Sequence, residues 1–155
     1  MPEISPFRVL ELLTHGDIRY RTGILELAPA WLGREREIAA RLGIDFADLR
    51  ERVLRQIKPG QRQLRIDWQR LIDRELGGLV ENSFPMRGCV LVSNLDLIVS
   101  SLRAAERERF WSTLREAYRH RWGLLLTLPS TNGRLISSAE RELWIAANRL
   151  AAWNG

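Results

Sequence analysis

A chain of 155 residues, 45% hydrophobic and 28% charged, suits one domain (residues 1–155) with a core of ordinary size and excludes a disordered chain. No apolar run approaches the roughly 18–20 residues of a membrane helix, so no membrane partner is expected. The formal charge of +5 rests on 23 arginines and the single Lys58. Arginine suits forked contacts with carboxylates and phosphates. Along GREREIAARLGIDFADLRERVLRQ, however, it is mixed with Glu and Asp, the pattern of solvated, ion-paired helix faces. Cys89 is the only cysteine, and His15 and His120 are the only histidines. An intramolecular disulfide is thereby excluded, and the ligands for a Cys/His zinc site are missing. The start MPEISPFRVLELL lacks a basic stretch followed by an apolar core, so no secretory signal is read and the expected location is cytoplasmic.

In chain order, PFRVLELLTHG reads as a first helix within residues 1–17, with Phe7, Leu10 and Leu13 or Val9 on one side and Gly16 at its end. Residues 18–155 form the core. Ile24 to Leu27 is a buried-strand run. Residues 31–42 read as a helix with Trp31, Ile38, Ala39 and Leu42 inward, closed by Gly43. Ile44 to Phe46 is either a short strand or a bend. DLRERVLRQI has Leu49, Val53, Leu54 and Ile57 at helical spacing, and Lys58-Pro59-Gly60 marks a turn. DWQRLIDRELGGLV repeats the helical spacing behind Asp67, a good N-cap. GCVLVSNLDLIV holds the strongest strand, with Cys89 to Val92 continuously apolar, as in a strand covered on both faces. Residues 102–121 read as a helix on Phe110, Trp111, Leu114, Ala117 and Tyr118. WGLLLTLP is a further strand stopped by Pro129. A final helix, capped by Ser137 or Ser138, carries Leu143, Trp144, Ala147 and Leu150 inward. Strands alternating with helices predict an α/β fold with a small parallel sheet between helices. Ligands in such sheets sit beyond the carboxyl ends of the strands. Six tryptophans are expected mostly in the core. Trp31 and Trp153, near the first loop and the C-terminus, would mark a partner surface if exposed.

Three strand ends carry the chemistry. APAWLGRE follows the first strand as a phosphate loop would, and G-x-x-x-x-G-K-[ST] is the pattern that wraps phosphates in backbone N–H groups. Ala28 takes the first Gly, Pro29 opens the loop, Gly33 is the second Gly, Arg34 falls at the Lys and Glu35 at the magnesium-binding hydroxyl. Trp31 sits where a phosphate cradle needs small residues. VLVSNLDLIV has the outline of a Walker B strand, with Ser93 at the leading acid, Asn94 after it and Asp96 further on. LLLTLPST puts Thr127 at the position of a polar γ-phosphate sensor. The alternative is structural: a strand and capped turn for APAWLGRE, backbone hydrogen bonding by Asn94 or Asp96, and an ordinary strand threonine at Thr127.

Taken together and in order, these segments make the chain resemble the small P-loop BrxF-like proteins of BREX-type bacterial anti-phage systems. The likeness runs over roughly residues 22–144. It includes APAWLGRE, RVLRQIKPGQRQLRIDWQRLIDREL, VLVSNLDLIV with RERFWSTLREAYRHR, LLLTLPSTNGRL and ERELW. The family motifs would read close to GPPGSGKT and LLDNIE; only Pro29, Gly33 and Asn94 keep the expected residue. The resemblance implies a P-loop NTPase-like (AAA/ASCE-like) fold and an accessory role among other defence-system proteins; the departures at Arg34, Glu35 and Ser93 make the Walker motifs degenerate and lead to the expectation of no cofactor. Two alternatives stand beside it. In an active or nucleotide-sensing ATPase, Arg34 would meet the phosphates of ATP–Mg and Asp96 would polarise water. In a nucleic-acid-binding adaptor, Arg50, Arg52 and Arg55, or Arg115, Arg119 and Arg121, would form a basic face. The structural counterpart of the last is pairing with Glu51 and Glu116. A homo-oligomer is compatible with all three.

Overall fold

A computed structural model describes residues 4–61, 67–80, 84–131 and 133–155. Five parallel strands form one sheet: β1 Thr22–Leu27, β2 Asp45–Asp48, β3 Cys89–Ser93, β4 Gly123–Pro129 and β5 Leu150–Trp153, in the order β2-β3-β4-β1-β5. Parallel strands need crossover connections, and the helices that supply them cover both faces of the sheet. The helices are α1 Pro6–His15, α2 Glu35–Leu42, α3 Leu49–Leu54, α4 Trp68–Arg70, α5 Leu95–Val99, α6 Ala104–Glu116 and α7 Ser138–Ala146. Strand alternation sends Ile24, Val90, Val92, Leu124, Leu126 and Leu150 into one apolar cluster with Phe110, Trp111 and Trp144. Leu25, Leu27, Leu91, Leu125, Ala151 and Trp153 join the other, under α1 and α2. An α/β fold built on a parallel sheet between helices is therefore what the strand and helix spacing led us to expect.

The helix caps follow local chemistry. Ser5, Asp48, Asp67 and Ser137 each accept a hydrogen bond from the backbone N–H three residues on. Gly43, at φ 71°, ends α2 in the left-handed conformation that glycine adopts without strain. The turn at residues 58–60 is present, with Gln61 N–H donating to the Lys58 carbonyl.

Several boundaries depart from the sequence reading. The final helix does not run to the end: it stops at Ala146, Asn148 takes a positive φ of 57°, and Leu150–Trp153 is a strand beside β1. No Gly or Pro marks that break, and pairing with β1 overrides the helical leaning of LAAW. Leu143 is consequently exposed and Ala147 lies beyond the helix. LDLIV, which looked strand-like, is α5, burying Leu95 and Val99 one turn apart and exposing Leu97. The residue 31–42 helix begins at Glu35, after a 3₁₀ turn over Pro29–Trp31. The residue 102–121 helix covers only Ala104–Glu116, which leaves Ala117 exposed. In α3 only Leu49 is buried, and Leu54 faces solvent. The short strand after Gly43 is β2, shifted to Asp45–Asp48. α4 widens into a π-helical turn over Leu71–Leu76 that buries Glu75.

Two polar groups inside the fold have clear physical terms. Arg149, nearly buried, donates to the Thr22 and Arg115 carbonyls at 2.6 and 2.7 Å and lies 4.5 Å over the Trp144 ring. It thereby caps the C-terminal turn of α6; burial lowers its pKa to about 10. His120 pairs through Nε2 with the Arg21 carbonyl at 3.0 Å, which makes Nε2 the donor. Its buried Nδ1 has no hydrogen-bond partner among the described residues. Protonation there would bury a charged N–H without an acceptor, and desolvation lowers the pKa to about 4. Between the ordinary value of 6.5 and about 4 the unfolded chain binds the proton and the folded chain does not. Stability should therefore fall as pH drops through that window, by at most on the order of 3 kcal/mol, and level off below it. Urea unfolding across pH 7 to 4 should show this slope, and His120→Gln should flatten it.

Candidate functional site

β1 and β4 are neighbours, yet the chain leaves β1 toward α2 on one face and β4 toward α7 on the other. The crevice beyond their carboxyl ends is the topological switch point, where open α/β sheets bind ligands. Ala28, Pro29, Gly33, Arg34 and Glu35 lie there, with Thr127 near the tip of β4. Ser93, Asn94 and Asp96 lie at the tip of β3, on the far side of β4. The fold brings these three strand ends to one edge of the sheet.

The loop itself is closed. Trp31 N–H donates to the Ala28 carbonyl, Leu32 N–H to that of Pro29, and Arg34 N–H to that of Trp31, at 2.9, 3.3 and 3.0 Å. Gly33, at φ 86°, donates its N–H to Glu35 Oε1 at 3.2 Å. Four consecutive amides are thus satisfied within the loop, one of them by a carboxylate. The Arg34 guanidinium stacks 4.0 Å over the Trp31 ring and reaches Glu37 at 2.8 Å. Arg41 also reaches Glu37, at 3.1 Å, and lies 4.9 Å over the same ring. Hydrogen bonding from Arg34 is the first cause that holds the Glu37 carboxyl below its ordinary range.

The last strand latches this loop. Ala28 N–H donates to the Trp153 carbonyl at 3.2 Å, and the Trp31 and Trp153 rings meet edge to face at 5.8 Å. Both indoles are buried, at 8% and 5% exposure, so the exposed tryptophan anchor considered from sequence is absent. Of the other tryptophans, Trp111 and Trp144 are core residues, and Trp68 and Trp122 are half-buried.

The other strand tips are equally engaged. Asn94, in the left-handed region at φ 61°, donates through Nδ2 to Asp48 Oδ1 at 2.9 Å, joining β3 to the start of α3. Ser93 is buried and Asp96 is half-buried in the first turn of α5. Thr127 donates its hydroxyl to the Val92 carbonyl at 3.0 Å, inside the sheet. Among the described residues, no group of three or more His, Cys, Asp or Glu could hold a metal ion. Burial pushes the Cys89 thiol up to about 12, which keeps it protonated and inert as a nucleophile.

Of the candidate nucleic-acid contacts, Arg50 lies at the opposite edge of the sheet from Arg115 and Arg119. Arg50 is exposed on α3, beyond the carboxyl end of β2. Arg115 sits in the last turn of α6, bound to Glu140 at 2.8 Å and Glu116 at 3.3 Å; hydrogen bonding to Glu140 first of all raises its pKa. Arg119 follows α6 at the amino edge of the sheet. Arg55 pairs with Glu51 at 2.7 Å.

Two buried carboxylates went unread in the sequence. Glu26, within the apolar run of β1, makes a two-pronged ion pair with Arg141 of α7 at 2.8 and 2.6 Å. Its signal was an acid inside a strand covered on both faces. Glu75, 1% exposed, accepts from Gln56 Nε2 and lies within 4 Å of Arg52 and Arg70. Residues 62–66, inside the middle segment quoted above, lie outside the described residues.

No family model, curated protein or solved structure matches this chain. Among the described residues, no helix is long and apolar enough to cross a membrane.

Removal of the latch has a defined outcome. Trp153→Ala should destabilise the protein by about 3–5 kcal/mol in urea unfolding. Amide exchange should quicken most over residues 28–34, because the Trp31 ring loses its edge-to-face partner.

Proposed function

We propose that the protein is a P-loop-like, AAA/ASCE-like domain that no longer performs nucleotide chemistry. In this reading it acts as a cytoplasmic accessory protein, through contacts with other proteins, in a BrxF-like role within a BREX-type defence system. The single observation that carries the loss of chemistry is the closed loop: the amides of Trp31 to Arg34 all donate within it. A phosphate cradle needs those N–H groups turned outward. Support for the ancestry comes from the order β2-β3-β4-β1-β5, which differs from the Rossmann and flavodoxin orders. It sets the loop strand beside the strand bearing Thr127, with the SNLD tip next in line. Glu35 supplies internally the negative charge that a phosphate would bring. Arg34 is held over Trp31 and against Glu37, so it is no substitute for the lost lysine. The same facts weigh against the alternative of an ATPase or nucleotide sensor.

Thermal unfolding with and without millimolar ATP and magnesium tests this. The expected result is no ligand-dependent rise in Tm, in the native chain or in Arg34→Ala. A saturable rise that Arg34→Ala abolishes would overturn it in favour of nucleotide binding. The defence assignment predicts that neighbouring genes encode a large ATPase, a methyltransferase and a phosphatase-like protein, and that the tagged chain co-purifies with at least one of their products.

A further inference from the structure

At the amino edge of the sheet, opposite the closed loop, three connections run side by side because β3, β4 and β1 are adjacent. They are residues 84–88 into β3, 117–122 into β4 and 16–21 into β1. Together they hold Arg19, Arg21, Arg87, Arg119 and Arg121 against the lone acid Asp17. Most of the excess charge of the whole chain, +5, is gathered at this edge. Helix capping accounts for part of it: Arg21 donates to the Leu13 carbonyl of α1 and Arg87 to the Leu42 carbonyl of α2. Capping does not account for Arg19, Arg119 and Arg121, which are exposed and have no carboxylate within ion-pair distance among the described residues.

The same edge carries the most exposed apolar side chains of the described structure. Phe84 is 81% exposed and Met86 59%. The Phe84 ring stands 5.7 Å from that of Trp122, edge to face, and the Arg121 guanidinium lies 5.7 Å over Phe84 and 5.0 Å over Trp122. Trp122 is backed by Gly88, at φ 71°, where an added Cβ would sit 3.2 Å from the indole. Trp122 is thus held from behind while Arg121 lies over both rings, and Phe84 remains largely open to solvent.

We propose that this edge binds a single-stranded polynucleotide, with bases stacking on Phe84 and Trp122 and the flanking phosphates meeting Arg119 and Arg121. Aromatic platforms interleaved with unpaired cations are what such a ligand requires, because every base offers a flat face and every linkage a charge. A duplex keeps its base faces stacked inside, and an acidic peptide would use the arginines but leave Phe84 bare. The assignment does not rest on the fate of the nucleotide loop, which lies at the other end of the strands.

Fluorescence anisotropy with a labelled oligo-dT of about 15 nucleotides, a length within known single-strand site sizes, tests it. Binding is expected at low salt and should weaken as salt rises. Phe84→Ala and Arg121→Glu should each weaken it at least about fivefold. Arg34→Ala, at the opposite edge, should leave affinity unchanged. A duplex of the same length should bind more weakly, and polyglutamate at equal charge should compete poorly. Phe84 is solvent-exposed, so its variant tests binding rather than folding. The proposal fails if oligo-dT does not bind at about 100 μM protein, the weak end of non-specific affinities. It also fails if both variants keep full affinity, or if duplex or polyglutamate binds as well as oligo-dT.

Discussion

A parallel sheet covered by helices on both faces leaves almost no strand side chain facing water, and the rest of this molecule answers to that constraint. β1, β3 and β4 are largely runs of Leu, Val and Ile, and each buried polar residue among them must find its partner inside. Thr22 donates to the Leu114 carbonyl and accepts from Arg149; Thr127 donates to Val92; Glu26 is held by Arg141. These contacts tie β1 to α6 and α7, and β4 to β3. What looks like scattered polarity in the sequence is a set of fasteners, Thr22 and Glu26 to the helices on one face and Thr127 between two strands.

The carboxyl edge shows how a strand-to-helix joint can keep a ligand-binding topology while its backbone turns inward. Pro29 starts a 3₁₀ turn, Gly33 supplies the one left-handed residue, and Glu35 folds back onto the amide before it. Trp31 fills the space that small residues would have left, and it draws Arg34, Arg41 and Trp153 around it. A carboxylate and an indole thus occupy the inside of the turn.

Much of this was legible in the sequence. Apolar runs located β1, β3 and β4, and caps at Asp67 and Ser137 and the stop at Gly43 lie where their chemistry puts them. The residues of the first loop could be read one by one. What escaped was decided by distant partners. LAAW is a strand only because β1 has an open edge, and LDLIV is a helix because Asn94 turns the chain. The residue that latches the loop, Trp153, lies more than a hundred residues away along the chain. Arg119 and Arg121 could be read as part of a basic face, but their neighbour Phe84 and the arginines beside them come from two other connections, none of them unusual alone.

β5 pairs with β1 across nearly the whole length of the chain, Ile24 standing opposite Leu150. During synthesis β1 emerges early, and the strand that will cover its outer edge emerges after all the others. Until then a strand that is apolar but for Thr22 and Glu26 presents a row of unpaired backbone groups on that side, the kind of template on which chains aggregate or exchange strands. Between the emergence of β1 and that of residues 150–153, a nascent copy therefore carries β1 with one edge uncovered. The requirement for protection at that stage is written into the strand order itself.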